Sequence, residues 1–361
     1  MAEPAGSIIE TDAVIIGAGP AGLFQVFELG LLGIKAHVID ALEQPGGQCS
    51  ELYPDKPIYD IPGIPACTGN ELIARLLEQI RPFSAPFHLD QTVTTVTHQT
   101  DGRFYVETSR GSQFLSRTLF VAAGVGAFEP RRLPVDGLEK HANTQLFYQV
   151  PLRPTSLFAG QRLVVVGGDE EALDCALRFA QSGPEQAASV TLIHRRHDIK
   201  ATPAKLLRMQ TVCEQRQMQF MAGQITGYIE HENRLQDLIV TQADGTDTVL
   251  PIDHLLVRLG RSPKLGPIAH WGLNLDRKQI PVDTAHFESS TAGLFAIGDI
   301  STYPGKRKLI LCSFHEATLA AFAAMRYVFP HQEPAPLLYT TSSPKLHMLL
   351  GVHATDLEKD A

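Results

Sequence analysis

The residues of this chain best spaced for chemistry are glycines. Gly17, Gly19 and Gly22 follow a short apolar run, Asp12-Ala-Val-Ile-Ile-Gly17, with the spacing of a loop that wraps a pyrophosphate. Gly17 permits the tight turn, Gly19 lets the backbone approach the phosphates, and Gly22 lets helix and strand pack. Pro20 and Ala21 begin the helix whose N-terminus supplies N–H groups and partial positive charge. Asp40 stands 23 residues after Gly17, at the end of the next apolar run. A carboxylate there accepts hydrogen bonds from both ribose hydroxyls, which favours FAD or NAD over a 2′-phosphorylated nucleotide.

A second glycine run carries the opposite chemistry. Gly167 and Gly168 follow Arg162-Leu-Val-Val-Val, and His194, Arg195 and Arg196 stand where the first set has its acid. Two guanidinium groups and an imidazole suit a 2′-phosphate, so this set is expected to prefer NADP. Asp169 occupies the position where the pyrophosphate approaches most closely. At an effective dielectric of about 20, like charges 4 to 5 Å apart repel by roughly 3 to 4 kcal/mol. Asp169, Glu170 and Glu171 also read as an acidic N-cap and first turn that cancel a helix dipole. The expectation is a weakened or displaced pyridine-nucleotide site.

The elements that hold these residues repeat. Each glycine run lies between an apolar strand and an amphipathic helix, and a second strand closes a βαβ unit, Ala36–Asp40 in one case and Val190–Arg196 in the other. After the first unit come strands at 92–97, 104–108 and 112–115, and after the second at 219–230, 235–242 and 247–250. Each meander feeds one more apolar strand, Thr118–Gly124 and His254–Gly260, and Gly293–Asp299 adds a last one. The expected fold is α/β: two Rossmann-like domains, the second inserted into the first, each with a small antiparallel meander. Residues 1–126 and 261–361 form the expected FAD-binding domain and 127–260 the NADP-binding domain. Pro- and Arg-rich crossings lie at 129–134 and 261–267.

Composition narrows the classes. The 361 residues suit two domains. With 31 basic and 39 acidic side chains, the formal charge is -8, against a broad nucleic-acid surface. No apolar run approaches the ~18 residues of a membrane span, and the first basic residue is Lys35, so no membrane and no secretory or transit segment is expected. Cys49, Cys67, Cys175, Cys213 and Cys312 are widely spaced with no CxxC pair. They fit neither a disulfide framework nor a zinc site, and point to the cytoplasm.

Together with the first glycine loop, Pro45-Gly-Gly-Gln48, Leu52-Tyr-Pro54, Ile58-Tyr-Asp-Ile-Pro62, Gly298-Asp-Ile300, Thr302-Tyr-Pro-Gly-Lys306, Lys308-Leu-Ile310 and Thr340-Thr-Ser-Ser343 resemble the ferredoxin–NADP reductases of the thioredoxin-reductase-like type. The resemblance spans essentially the whole chain. It implies an FAD-containing homodimer that passes electrons between NADPH and ferredoxin or flavodoxin. It further implies that Gln48 reaches the ring side of FAD, that Val93 lies by the adenine, and that Phe128 and Asp299 continue the site. Tyr53 and Tyr339 are expected to stack on the two flavin faces, with Thr341 near flavin N5. Three positions depart from the family pattern: Asp169-Glu170-Glu171 replaces Gly-Asp-Ser, Ser313-Phe-His-Glu-Ala317 replaces Gly-Phe-Gly-Glu-Ala, and Tyr339 replaces a histidine. His315 is expected to pack rather than move protons.

No side-chain acid or base is expected, because hydride transfer between nicotinamide and flavin needs positioning alone. Lys306, Arg307 and Lys308 are candidate docking cations for an acidic partner. Thioredoxin reductases carry a CxxC at the start of the NADP domain; here no cysteine lies between Cys67 and Cys175, against direct disulfide reduction, and Cys49 reads as a buried bystander. Two further readings are an NADPH-dependent flavin diaphorase or quinone reductase, and a flavoprotein with impaired NADPH use serving as electron carrier or redox sensor.

Overall fold

The first apolar run forms β1 (Ile9–Ile16), whose last four residues are all buried. α1 (Pro20–Leu31) follows the glycine loop and returns the chain to β2 (Ala36–Ile39), parallel to β1 with Ala36 opposite Ala13. This is a computed structural model and describes residues 7–150, 157–331 and 340–351. The chain divides into two compact units, Met1–Ala127 with Pro263–Ala361, and Phe128–Ser262.

Unit 1 continues with α2 (Gln48–Leu52) and α3 (Gly69–Ile80). A capping box starts α3: Thr68 Oγ1 accepts from the Glu71 N–H at 3.2 Å, and Glu71 Oε2 accepts from the Thr68 N–H at 2.8 Å. Then come β3 (Phe87–His88), β4 (Val93–His98), β5 (Phe104–Thr108) and β6 (Gln113–Val121). The sheet runs β3-β2-β1-β6-β5-β4, parallel from β3 to β6 and antiparallel beyond. The separate strands expected at 112–115 and 118–124 are one element, because β1 pairs with both in a single register, from Ile9–Phe114 to Ile16–Val121.

Unit 2 holds β7 (Leu146–Phe147), β8 (Arg162–Val166), α4 (Glu170–Ala180), β9 (Ser189–His194), α5 (Pro203–Glu214) and β10 (Gln219–Ala222). A meander of β11 (Gln224–His231), β12 (Arg234–Thr241) and β13 (Asp247–Pro251) precedes β14 (His254–Val257). The parallel sheet runs β7-β14-β8-β9-β10, and the meander is a sheet of its own. The strand expected over 219–230 is therefore two. Gly223 makes the break: its N–H donates to the His194 carbonyl at 2.9 Å, and a Cβ there would come within 2.8 Å of Val240 Cγ1.

Back in unit 1, β15 (Leu294–Ala296) pairs in parallel with the end of β6, Leu294 opposite Leu119. α6 (Ile310–Val328) buries Ala317, Ala320, Ala321 and Ala324 in the core that also holds Leu23, Val26 and Leu29 of α1. Small side chains let these two helices lie close. α7 (Pro344–Leu349) is the last described helix. Among the described residues no helix is long and apolar enough to cross a membrane.

Candidate functional site

In unit 1 the glycine loop is shaped by the room its neighbours leave. Gly17 has φ +112°, and a Cβ there would run into the Ala122 carbonyl. Its N–H donates to the Ile39 carbonyl at 2.8 Å, tying the loop to the end of β2. A Cβ on Gly22 would strike the Gly17 carbonyl. Gly19 differs, because the nearest atom to a Cβ there is Gly47 Cα, 3.9 Å away. The protein does not need glycine at Gly19 for its own packing. Gly19 is also the N-cap of α1, Pro20 is its first residue, no side chain caps the helix, and its first turn holds no acid. The free amides and the dipole are left for an external anion.

The Asp40 carboxylate accepts from the Ala18 N–H at 2.5 Å and the Leu42 N–H at 2.8 Å. Burial pushes its carboxyl above the usual range, while these amides pull it down. Val93 opens β4 and is buried; just before it, the Gln91 N–H donates to the Asp40 carbonyl at 3.0 Å. Gly46 and Gly47 both take positive φ, and the Gly46 N–H donates to the Ala18 carbonyl at 2.9 Å. That turn delivers Gln48, whose Nε2 donates to Asp299 Oδ2 at 3.0 Å across 251 residues of chain. Tyr53 caps the C-terminus of α2 and receives the Cys49 thiol at 3.7 Å; burial pushes its phenol up.

Asp299 sits in the single turn Gly298–Ile300, and a Cβ on Gly298 would lie 3.2 Å from the Ala21 Cβ at the start of α1. What anchors this turn is Glu316, a residue that reading the sequence missed. Fully buried in α6, Glu316 accepts from the Gly298 N–H at 2.6 Å and from the Tyr303 hydroxyl at 2.8 Å, and pairs with the Lys306 ammonium. Lys306 is thus an internal cation, its side chain 8% exposed, and not a docking residue. A carboxylate this deep must be paired. Arg307 and Lys308 remain exposed. The signal for Glu316 was its place on the alanine face of α6, where a charge needs a buried partner. His315 is exposed, with Phe287 edge-on at 6.3 Å.

Unit 2 fills its own turn. Asp169 is the N-cap of α4, and its Oδ1 accepts from the Ala172 N–H at 3.0 Å. Glu171 is paired with Arg258, and Glu170 with Lys205 at 2.6 Å. Gly168 has no space for a Cβ because the His194 ring lies against it, and burial, then Arg196, lowers the His194 pKa. Arg195 and Arg196 are exposed, and Arg196 Nε lies 3.2 Å from Asp198. The Lys200 N–H donates to the Gly168 carbonyl at 2.9 Å, which brings a further cation to the same strand end.

Phe128 lies in the short strand Ala127–Pro130; its side chain, and Tyr339, lie outside the described residues. Thr341 is exposed in the turn before α7. Leu349, at the end of α7, lines a cleft with Val26, Gly30 and Gly33. That is the C-terminal half of α1, about 15 Å along the helix from its glycine-loop end.

Residues 11–321 match the family of pyridine nucleotide-disulphide oxidoreductases. The chain belongs to that family. The ferredoxin–NADP reductase of Polaromonas sp. is 59% identical over 346 residues, covering 96% of this chain and 94% of that protein. The ferredoxin–NADP reductase of Albidiferax ferrireducens is 60% identical over 346 residues, covering 96% and 97%. A thioredoxin reductase of Lactococcus lactis shares the fold, with a TM-score of 0.56 at 21% identity over 89% of this chain and 99% of that one. In this pyridine nucleotide-disulphide oxidoreductase all five cysteines are free thiols. Burial pushes the Cys175 thiol up to about 12, so it stays protonated and unreactive.

Proposed function

We propose that this chain is an FAD-dependent ferredoxin–NADP reductase, with FAD in unit 1 and NADP in unit 2. The observation that carries the reading is the open Gly19 position at an uncapped, acid-free helix start, beside Asp40 and the Gln48–Asp299 pair. That donor set fits the diphosphate and ribose of FAD. The relatives named ferredoxin–NADP reductase support the choice of reaction.

FAD, when bound, would supply hydride acceptance from reduced nicotinamide and one-electron release. The chain's own residues bind and orient. Asp40 offers its carboxylate to the adenosine ribose, with Val93 beside the adenine, and the amides of Gly17 to Gly22 face the diphosphate. Gln48 and Asp299 hold the ring side, and Tyr53 offers a stacking face. His194, Arg195 and Arg196 meet the NADP 2′-phosphate. Exposed Arg307 and Lys308, next to exposed Leu309, form a docking patch for ferredoxin or flavodoxin.

A homodimer, which the family resemblance implies, is part of this reading, and the position of the tail supports it. With α7 at the far end of α1 in its own protomer, Thr341 would serve the flavin of a second protomer. The free thiols support a cytoplasmic setting.

The test is an anaerobic titration of the purified yellow protein. NADPH should bleach the flavin at lower concentration than NADH, and addition of ferredoxin with cytochrome c should reoxidise it. Reoxidation by quinone but not by ferredoxin would favour a diaphorase. A flavin that NADPH leaves oxidised would reject the reductase reading.

A further inference from the structure

The two units present opposite answers to the same question: what occupies the anion-binding end of the helix after a βαβ glycine turn? In unit 1 nothing from the protein does. In unit 2 the end of α4 is occupied by the chain itself. Asp169 takes the Ala172 amide, and the neighbouring cation that could answer a diphosphate, Arg258, is committed to Glu171, with its Nη1 donating to the Tyr148 carbonyl at 3.0 Å. Lys205 is shared between Glu170 and Asp174, 2.6 Å from each. At the other end of the site the balance reverses. Arg195 and Lys200 have no ion-pair partner among the described residues, and both are exposed at the end of β9 or just beyond it.

We infer that unit 2 holds its nucleotide by the adenosine 2′-phosphate, and that the diphosphate and the nicotinamide half beyond it add little affinity. This rests on the reading of unit 2 as an NADP site and assigns where in the ligand the recognition lies. A diphosphate entering the turn meets the Asp169 carboxylate and a helix dipole already cancelled by three acids. A 2′-phosphate meets Arg195 and Lys200 with no internal competitor. The nicotinamide end is thereby left loosely tethered while the adenosine end is fixed.

The experiment measures binding to the FAD-loaded full chain by calorimetry, using oxidised NADP and adenosine 2′,5′-bisphosphate, which lacks the diphosphate bridge. The wild-type chain should bind the two within about tenfold of each other. Asp169→Gly should tighten NADP by about tenfold or more and leave the bisphosphate within about twofold. Because Asp169→Gly removes a helix cap, Glu171→Gln, which frees Arg258 and keeps the cap, provides a second selective tightening. Wild-type NADP binding more than about tenfold tighter than the bisphosphate overturns the inference and leaves the NADP site standing. So do variants that tighten neither ligand, or both equally. Failure of the wild-type chain to bind either ligand removes the NADP reading itself and this inference with it.

Discussion

Single residues divide into those the fold requires and those only a ligand requires. Gly17 and Gly19 separate the two. Gly17→Ala places a Cβ against the Ala122 carbonyl at a φ of +112°, and should cost about 3 kcal/mol or more of stability in chemical denaturation. Gly19→Ala meets only Gly47 Cα at 3.9 Å. The apoprotein should then unfold within about 1 kcal/mol of wild type, while FAD retention on gel filtration drops sharply. Equal loss of stability in both variants would mean the Gly19 space is not a ligand's. The same division applies to the basic loop. Lys306→Glu sets a second carboxylate against buried Glu316 and should destabilise the protein by about 3 to 5 kcal/mol. Lys308→Glu should leave stability unchanged and weaken the salt dependence of ferredoxin reduction. By type and spacing all three cations of that loop look alike; burial decides that Lys306 is the one held inside, and burial is set by α6 folding back over Gly298.

Elements were legible where periodicity is strong and neighbours are local. β1, the glycine loop, α1 and β2 follow from an apolar run, three glycines and a second run. The misread elements depended on partners distant in the chain. β6 is one strand because β1 is long enough to pair with all of it, and 219–230 breaks because Gly223 must leave one sheet and enter another. Strand ends can also be fastened by charge, as at the start of β8. Arg162 Nη2 and Nε lie 2.8 and 3.0 Å from the two carboxylate oxygens of Asp253, and the Arg162 N–H donates to Asp253 Oδ2 at 2.8 Å. These contacts hold the Asp253 carboxyl down at about 2. Because this folded value lies below the unfolded one, its stabilisation is present above pH 4 and is lost as pH falls towards 2. Asp253→Asn should cost about 1 to 2 kcal/mol at pH 7. By pH 3 the gap between variant and wild type should shrink to about half. A gap independent of pH between 7 and 3 would show that the ion pair contributes nothing.

At the scale of the whole molecule, one supersecondary plan is used twice with different residues at matching positions. The acid after β2 and the arginines after β9 were readable as residue types at matching positions. The quality of each turn was only half readable. Asp169 announced both a conflict and a helix cap, and the cap is there, but the pairing of Glu171 with Arg258 needed β14 to bring residue 258 beside α4. Likewise the Gln48–Asp299 contact joins regions with all of unit 2 between them in the chain, and the Glu316–Gly298 contact that anchors Asp299 lies wholly beyond unit 2. That order has a consequence for biosynthesis. A ribosome releases the glycine loop, Asp40 and all of unit 2 before it releases β15, Asp299 and Glu316. Until then the Leu119–Val121 edge of β6 lacks β15, its partner, and Gln48 lacks the Gly298 turn that carries Asp299. In the proposed arrangement, a nascent chain can gather the adenosine end of its cofactor early, but it can commit to the flavin only once α6 has emerged. Truncations ahead of residue 316 should therefore accumulate as colourless, aggregation-prone chains and not as weak enzymes.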